Sequence, residues 1–193
     1  MFTRIRATAP VAQPKAMTTT DTRRATADQK IARLFGLKGD KWMRHANAWS
    51  VWTRFSVLSL IALAIWSRVW IGWYSLIPIV LAGLWMMLNP LLFSEPRSTR
   101  NWASRSVLGE RIWSERPRAD LPAQFRSPIP NITNVFGLAG LALLGYGLVT
   151  LAVLPTIAAI VIVNLSKLWY LDRMVLLFED MKQRDAEYAS WDY

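Results

Sequence analysis

Three titratable side chains are candidates for general acid–base chemistry: His45, Glu110 and Asp172. Such catalysis needs two groups within hydrogen-bond reach of one substrate. They lie far apart along the chain, and no spacing brings them onto one element. A lone histidine at a membrane surface is more typical of a hydrogen-bonded structural residue. We therefore predict no catalytic residue.

Metal, thiol and cofactor chemistry lack their usual sequence signatures. The chain has no Cys and a single His, which excludes a disulfide framework and a haem held by two histidines of one chain. Glycine-rich phosphate loops, nucleophile elbows and clusters with metal-ligand spacing are absent. We predict no metal and no cofactor.

Charged side chains interrupt one apolar stretch, VIVNLSKLWYLDRMVLLF at 161–178, which carries Lys167, Asp172 and Arg173. A Lys near the bilayer centre costs about 3 kcal/mol on insertion scales, so it must face protein or water. One interpretation is a polar pocket open to the cytoplasm for an ion, a proton or an anionic ligand. The other is a set of structural contacts at the wet end of a helix.

Candidates for such a polar site lie near the predicted cytoplasmic ends of the apolar segments or along the last one. They are His45, Asn47, Arg54, Asn89, Glu110, Asn164, Lys167 and Asp172. We expect Arg54 to contact Asp172, because both lie at a similar depth. We expect Lys167 to reach Asn89 or backbone carbonyls freed by Pro90.

The elements that must position these residues are apolar helices. Four apolar runs are long enough to cross a hydrocarbon core of about 30 Å at 1.5 Å per residue. They cover 49–67, 71–93, 132–154 and 156–178, with the last break at Pro155. The predicted fold is all-α: a membrane-embedded four-helix bundle of two hairpins with interfacial amphipathic helices.

Small residues in the third run favour close helix packing in lipid. They include Gly137, Gly140, Gly145 and Gly147. Tryptophans near the ends of the first two runs are predicted interface anchors, because the indole is apolar with one N–H donor. They are Trp42, Trp49, Trp52, Trp66, Trp70 and Trp73.

The remaining segments are more polar. Residues 1–25 are predicted to be a disordered basic tail and 26–48 an amphipathic, interfacial helical region that leads into a helix starting at Asp40. Within the 49–178 membrane domain, loop 94–133 holds a predicted surface helix over 101–113 with Trp102 and Trp113 toward lipid. Residues 179–193 are predicted to be an acidic, soluble tail.

The charge distribution predicts the orientation. The formal net charge is +10, with ten Lys and Arg in residues 1–53 and seven in 94–133, against Arg68 alone in the intervening turn. The positive-inside rule then places both termini in the cytoplasm, in a multi-pass protein of the bacterial inner membrane. The expected partners are the bilayer with its anionic cytoplasmic headgroups and a larger membrane complex, not nucleic acid.

Two motifs, WMRHANAWSVWTRF at 42–55 and NWASRSVLGERIW at 101–113, resemble a family of small bacterial and archaeal membrane proteins of unknown function. The likeness covers roughly residues 30–180. It supplies no activity or ligand. It implies that the two motifs pack together on the cytoplasmic side around His45, Asn47, Arg54 and Glu110.

Three functional hypotheses follow. The first is a non-enzymatic accessory, assembly or regulatory subunit. The second is a transporter or sensor for a small anionic or amphipathic ligand bound near Lys167, Arg54 and Asn164. The third is a lipid-modifying membrane enzyme that uses His45 and Glu110. We favour the first, because no catalytic constellation is present.

Overall fold

A computed structural model describes residues 40–115, 120–126 and 129–193. This part of the chain is helical and contains no strand. The helices are α1 Asp40–His45, α2 Ala48–Trp66, α3 Arg68–Ile71, α4 Leu76–Leu92, α5 Trp102–Glu115, α6 Ile129–Thr150, α7 Val153–Arg184 and α8 Ala186–Ala189. The predicted disordered tail and most of the predicted 26–48 region lie outside the described residues.

Three segments are long and apolar enough to cross a membrane: Ala48–Asn89, Asn131–Thr150 and Val153–Arg184. The first segment is not one straight helix, because α2 ends and α4 begins on either side of a short turn. Ser50 and Asn89 are 39 residues apart, yet their side chains are hydrogen-bonded. The segment therefore folds back on itself as a helical hairpin.

The helix contacts do not confirm the predicted four-helix bundle. Helix α4 packs on α2 and α1, whereas α6 packs on α7. Helix α2 also contacts α6 and α7, so it lies between α4 and the hairpin that α6 and α7 form. The apolar side chains on most of α4 are exposed, which is the expected state of a lipid-facing helix without a bilayer around it.

Small residues set the distance between α6 and α7. A Cβ added at Gly147 would lie 2.6 Å from Thr156 Oγ1, and one added at Gly140 would lie 2.7 Å from Val163 Cγ2. The predicted close packing is therefore correct at these two glycines. It is wrong at Gly145, where an added Cβ meets nothing within 4 Å.

The turn between α6 and α7 is tighter than predicted. Leu151 adopts φ 55°, and the Ala152 amide donates to Gly147 O at 3.0 Å, which is the bond of a Schellman cap. The break therefore falls at Leu151 and not at Pro155. The proline lies in the first turn of α7, where its missing N–H leaves no helical hydrogen bond unmade.

The main buried core lies at the end of the helices opposite this turn. We call it the cap and define it as α1, α5, the part of α7 from Tyr170 onward, and residues 185–193. Its fully buried side chains include Leu108, Ile112, Met174, Leu177 and Phe178.

Helix α5 is the central helix of the cap. Most of its residues are buried, so the prediction that it lies on the surface is wrong. Trp113 is buried rather than directed toward lipid, and Trp102 stacks on Trp52 with ring centroids 5.5 Å apart. A Cβ added at Gly109 would lie 1.9 Å from Met174 O, so only glycine permits this crossing of α5 and α7.

The C-terminal residues are part of the cap. Helix α7 continues to Arg184, past the predicted boundary at 178. The Thr99 amide donates to Tyr193 O at 2.8 Å, and Asp192 pairs with Arg105 and Lys182 at 3.1 and 3.0 Å. Burial opposes ionisation of Asp192, but these two cations outweigh it and hold the pKa of Asp192 below its usual value.

Candidate functional site

His45 and Arg54 are joined where α1 meets α2. Arg54 Nη1 contacts both ring nitrogens of His45, with Nδ1 at 2.7 Å, and Arg54 Nε donates to Ser50 O at 3.1 Å. Burial of the ring, followed by the positive charges of Arg54 and Lys167, holds the pKa of His45 well below its usual value. A guanidinium only donates, so the His45 nitrogen that faces it accepts and the ring is neutral.

The chain breaks between α1 and α2 at Asn47, although the sequence predicted one helix from Asp40. The Asn47 side chain accepts from the Trp49 amide at 3.0 Å, which caps α2. Its Nδ2 donates to Ser94 O at 2.9 Å, just beyond α4. Asn47 therefore starts α2 and also ties that start to the chain just beyond α4.

Arg44 binds the carbonyl groups at the end of α4. Its Nε donates to Phe93 O at 3.0 Å, and its guanidinium also contacts Leu91 O. A cation at a helix C-terminus satisfies unpaired carbonyls and interacts favourably with the helix dipole. Carbonyls near the end of α4 do accept a cationic side chain, but the cation is Arg44 and not the predicted Lys167.

Asn89 is fully buried inside the first hairpin. Its Oδ1 accepts from Ser50 Oγ at 2.9 Å, and its Nδ2 donates to Thr53 Oγ1 at 2.8 Å. Thr53 Oγ1 in turn donates to Trp49 O at 2.7 Å. This arrangement satisfies the amide side chain on both sides and fixes the register of α2 against α4.

Lys167 pairs with Glu110 rather than with Asn89. The distance from Lys167 Nζ to Glu110 Oε1 is 2.8 Å, and Nζ lies 4.7 Å from the centre of the Tyr170 ring. Glu110 also interacts electrostatically with Arg54, as Lys167 does with His45. The structure therefore brings together His45, Arg54, Glu110 and Lys167, which we call the interface cluster.

Asp172 and Asn164 lie outside the interface cluster. Asp172 Oδ1 accepts from Trp102 Nε1 at 3.4 Å. The predicted contact between Asp172 and Arg54 is wrong, because Arg54 is directed to His45 and Ser50. Asn164 is partly exposed on α7, and its side chain makes no hydrogen bond in the part of the chain described here.

The tryptophans predicted as anchors fall into two groups. Trp49, Trp52, Trp70 and Trp73 are exposed, and Trp66 is partly exposed. Trp42 does not fit the anchor prediction, since only 3% of its surface is exposed and its ring packs edge-on against His45 at 5.9 Å.

Residues that sequence reasoning missed connect these parts. Arg44, Ser50 and Thr53 carry no pattern that predicts their partners. Gly109 does carry a signal, because a glycine inside a helical segment is unfavourable unless close packing requires it. Among the described residues, no group of three or more His, Cys, Asp or Glu side chains is placed to hold a metal ion.

Comparison with known proteins gives one match. No curated protein and no solved structure matches the chain. One family model, described as a family of unknown function (DUF6653), matches residues 26–191, a range that includes both motifs around the interface cluster. The predicted relationship to an uncharacterised family is thereby confirmed, and the chain belongs to the family of unknown function DUF6653.

Proposed function

We propose that this chain is a four-span integral membrane protein with a folded cytoplasmic cap. We propose further that it acts without catalysis, as an accessory, assembly or regulatory subunit of a larger membrane complex. Helix α7 carries this proposal. It is continuous over 32 residues, or about 48 Å, which exceeds a hydrocarbon core of about 30 Å.

The two halves of α7 have different surroundings. The first half exposes Ile157, Val161 and Leu165, as expected of a lipid-facing helix. The second half buries Met174, Leu177 and Phe178 in the cap. One rigid helix thus joins the membrane segment to the cap, which suits a protein that presents a folded surface beside the bilayer.

The contacts of Arg68 support an even number of spans. Arg68, in the turn of the first hairpin, binds Leu148 O near the end of α6. The turns of both hairpins therefore lie at one end, and the interface cluster lies at the other. With the basic segments at the cluster end, the positive-inside rule assigns that end to the cytoplasm.

The polar side chains of the candidate site bond to one another, which supports a non-catalytic role. His45 is bonded to Arg54, Glu110 to Lys167, and Asn89 to Ser50 and Thr53. A catalytic acid or base acts from within hydrogen-bond reach of the proton that it transfers. These groups instead hold helices together.

Reporter fusions test the topology. Reporters are fused after Gly72, after Asp120 and at the C-terminus. The fusion after Gly72 should report one side of the membrane, and the other two fusions should report the opposite side. A shared compartment for Gly72 and Asp120 would contradict four spans.

Co-purification tests the subunit role. Tagged full-length protein extracted in mild detergent after cross-linking should run in an assembly larger than the single chain. Gly109→Leu, which disrupts the cap, should lose the partner, whereas Gly145→Leu, at an open position on α6, should keep it. A wild-type chain that always runs alone would exclude the proposal.

A ligand-binding role is a second candidate, favoured by one observation. The side chain of Asn164 makes no hydrogen bond within the described residues, and it lies one turn before the half-exposed Lys167. An anionic ligand there would compete with Glu110 for Lys167. Thermal-shift screens of wild type and Lys167→Met against small anions test this, and identical responses would exclude it.

A further inference from the structure

Two indole rings and one carboxylate meet where α2, α5 and α7 approach each other. Trp52 and Trp102 are stacked with their ring planes 23° apart. Asp172 Oδ1 lies 3.4 Å from Trp102 Nε1, at the rim of the pair. We call Trp52, Trp102 and Asp172 the aromatic–carboxylate site.

The position of Asp172 on α7 is unusual for a carboxylate. It lies on the exposed stripe of the helix between Trp169 and Leu176, whose side chains are both exposed and apolar. It follows Val153 by 19 residues, or about 29 Å of helix, close to the thickness of a hydrocarbon core. Asp172 therefore lies at the level of the lipid headgroups.

No ion pair among the described residues involves this carboxylate. Neither Arg54 nor Lys167 pairs with it, since both have other partners. A role in capping α5 does not explain it either, because Asn101 Oδ1 accepts from the Ser104 amide at 2.9 Å and already caps that helix.

We propose that the aromatic–carboxylate site binds the ammonium headgroup of a phospholipid. A quaternary or primary ammonium is attracted to the face of an indole and to a carboxylate beside it. Trp52 is 51% exposed, so an approaching headgroup can reach the site from the lipid side. The acyl chains of the bound lipid lie along the exposed apolar stripe of α7.

Lipid retention by the full-length protein tests this site. Protein in mild detergent is offered phosphatidylethanolamine, phosphatidylglycerol and N-acetylated phosphatidylethanolamine with identical acyl chains, and bound lipids are counted by native mass spectrometry. The acetylated lipid keeps the phosphate but has lost the ammonium. Wild type should retain phosphatidylethanolamine about threefold or more over both other lipids.

Variants separate the roles of the carboxylate and the rings. Asp172→Asn should lose the preference, whereas Asp172→Glu should keep it. Trp52→Leu should weaken it. Asp120→Asn, which removes an exposed carboxylate from the connector between α5 and α6, should leave it unchanged. If Asp172→Asn melts earlier than wild type, Trp52→Leu and Asp172→Glu still decide the outcome.

Three results would overturn the proposal. The first is an unchanged preference in Asp172→Asn and Trp52→Leu. The second is a wild-type preference for phosphatidylglycerol that disappears in Arg173→Gln, because the site would then recognise phosphate. The third is equal retention of phosphatidylethanolamine and its N-acetylated form by wild type, because the site would then not recognise the ammonium.

Discussion

Lys167 Nζ lies 2.8 Å from Glu110 Oε1, and this ion pair joins the apolar part of α7 to the central helix of the cap. The pair is only partly buried, since 47% of the Lys167 side chain and 23% of the Glu110 side chain remain exposed. It therefore holds together the two helices that carry Glu110 and Lys167, two members of the interface cluster.

A double-mutant cycle on this pair should give a favourable coupling energy of about 0.2 to 1 kcal/mol, because exposed ion pairs are weak. The variants are Glu110→Gln, Lys167→Met and both together, and unfolding in detergent is followed by circular dichroism. As a control, Arg184→Met, whose ion pair with Asp180 lies within α7 at 2.9 Å, should not couple to Glu110→Gln. If the effects of the first two substitutions are strictly additive, the ion pair does not contribute to the stability of the cap.

Gly109→Ala should destabilise the protein by about 2 kcal/mol or more, because the new methyl group would overlap the Met174 carbonyl. Gly145→Ala provides the matched control, since an added Cβ there meets nothing within 4 Å. It should be neutral or stabilise by up to about 1 kcal/mol through helix propensity. Thermal unfolding of both variants measures the difference, and equal stability would contradict the close crossing of α5 and α7.

Stability should fall as the pH decreases from about 6.5 to 5. His45 has a lowered pKa in the folded state, so over this range the unfolded chain binds a proton that the folded chain does not. The stabilisation that comes from neutral His45 is complete above the pKa of His45 in the unfolded chain. It is lost as the pH falls toward the pKa of His45 in the folded protein. His45→Gln, which keeps an acceptor for Arg54, should remove most of the slope.

Melting temperatures at several pH values measure this dependence. The lowered pKa of Asp192 places its own effect on stability at more acid pH. An identical slope in wild type and His45→Gln would show that His45 does not control it.

Arg44→Ala should destabilise the protein by about 1 to 2 kcal/mol, because carbonyls at the end of α4 lose a charged donor. Arg97→Ala removes an exposed arginine from the connector between α4 and α5 and should change stability by less than about 0.5 kcal/mol. Chemical denaturation in detergent compares the two, and equal losses would show that the contact of Arg44 is not a specific one.

Much of the secondary structure can be predicted from local sequence. The four apolar runs correspond to α2, α4, α6 and α7 within a few residues, because apolar length is a local property. The helix break at Asn47 was missed, although Asn is a favoured N-cap residue, since the surrounding apolar period continues through it.

The candidate site could be predicted only in part. The two motifs do meet, so His45, Arg54, Glu110 and Lys167 come together as the interface cluster. The predicted partner of Arg54 was wrong, because depth along a helix does not determine which side chain faces it. That choice depends on the break at Asn47, which turns α1 so that His45 lies beside Arg54.

The sequence by itself determined that the chain is helical and apolar enough to enter a membrane, and that it belongs to its family. Only the tertiary structure decided where the apolar residues of α7 stop facing outward and start forming the core of the cap. Lipid and a protein core are both apolar surroundings, so hydropathy cannot distinguish Leu165, which is exposed, from Leu177, which is buried. The neighbouring helix α5 makes that distinction, and its contacts with α7 join residues far apart in the chain.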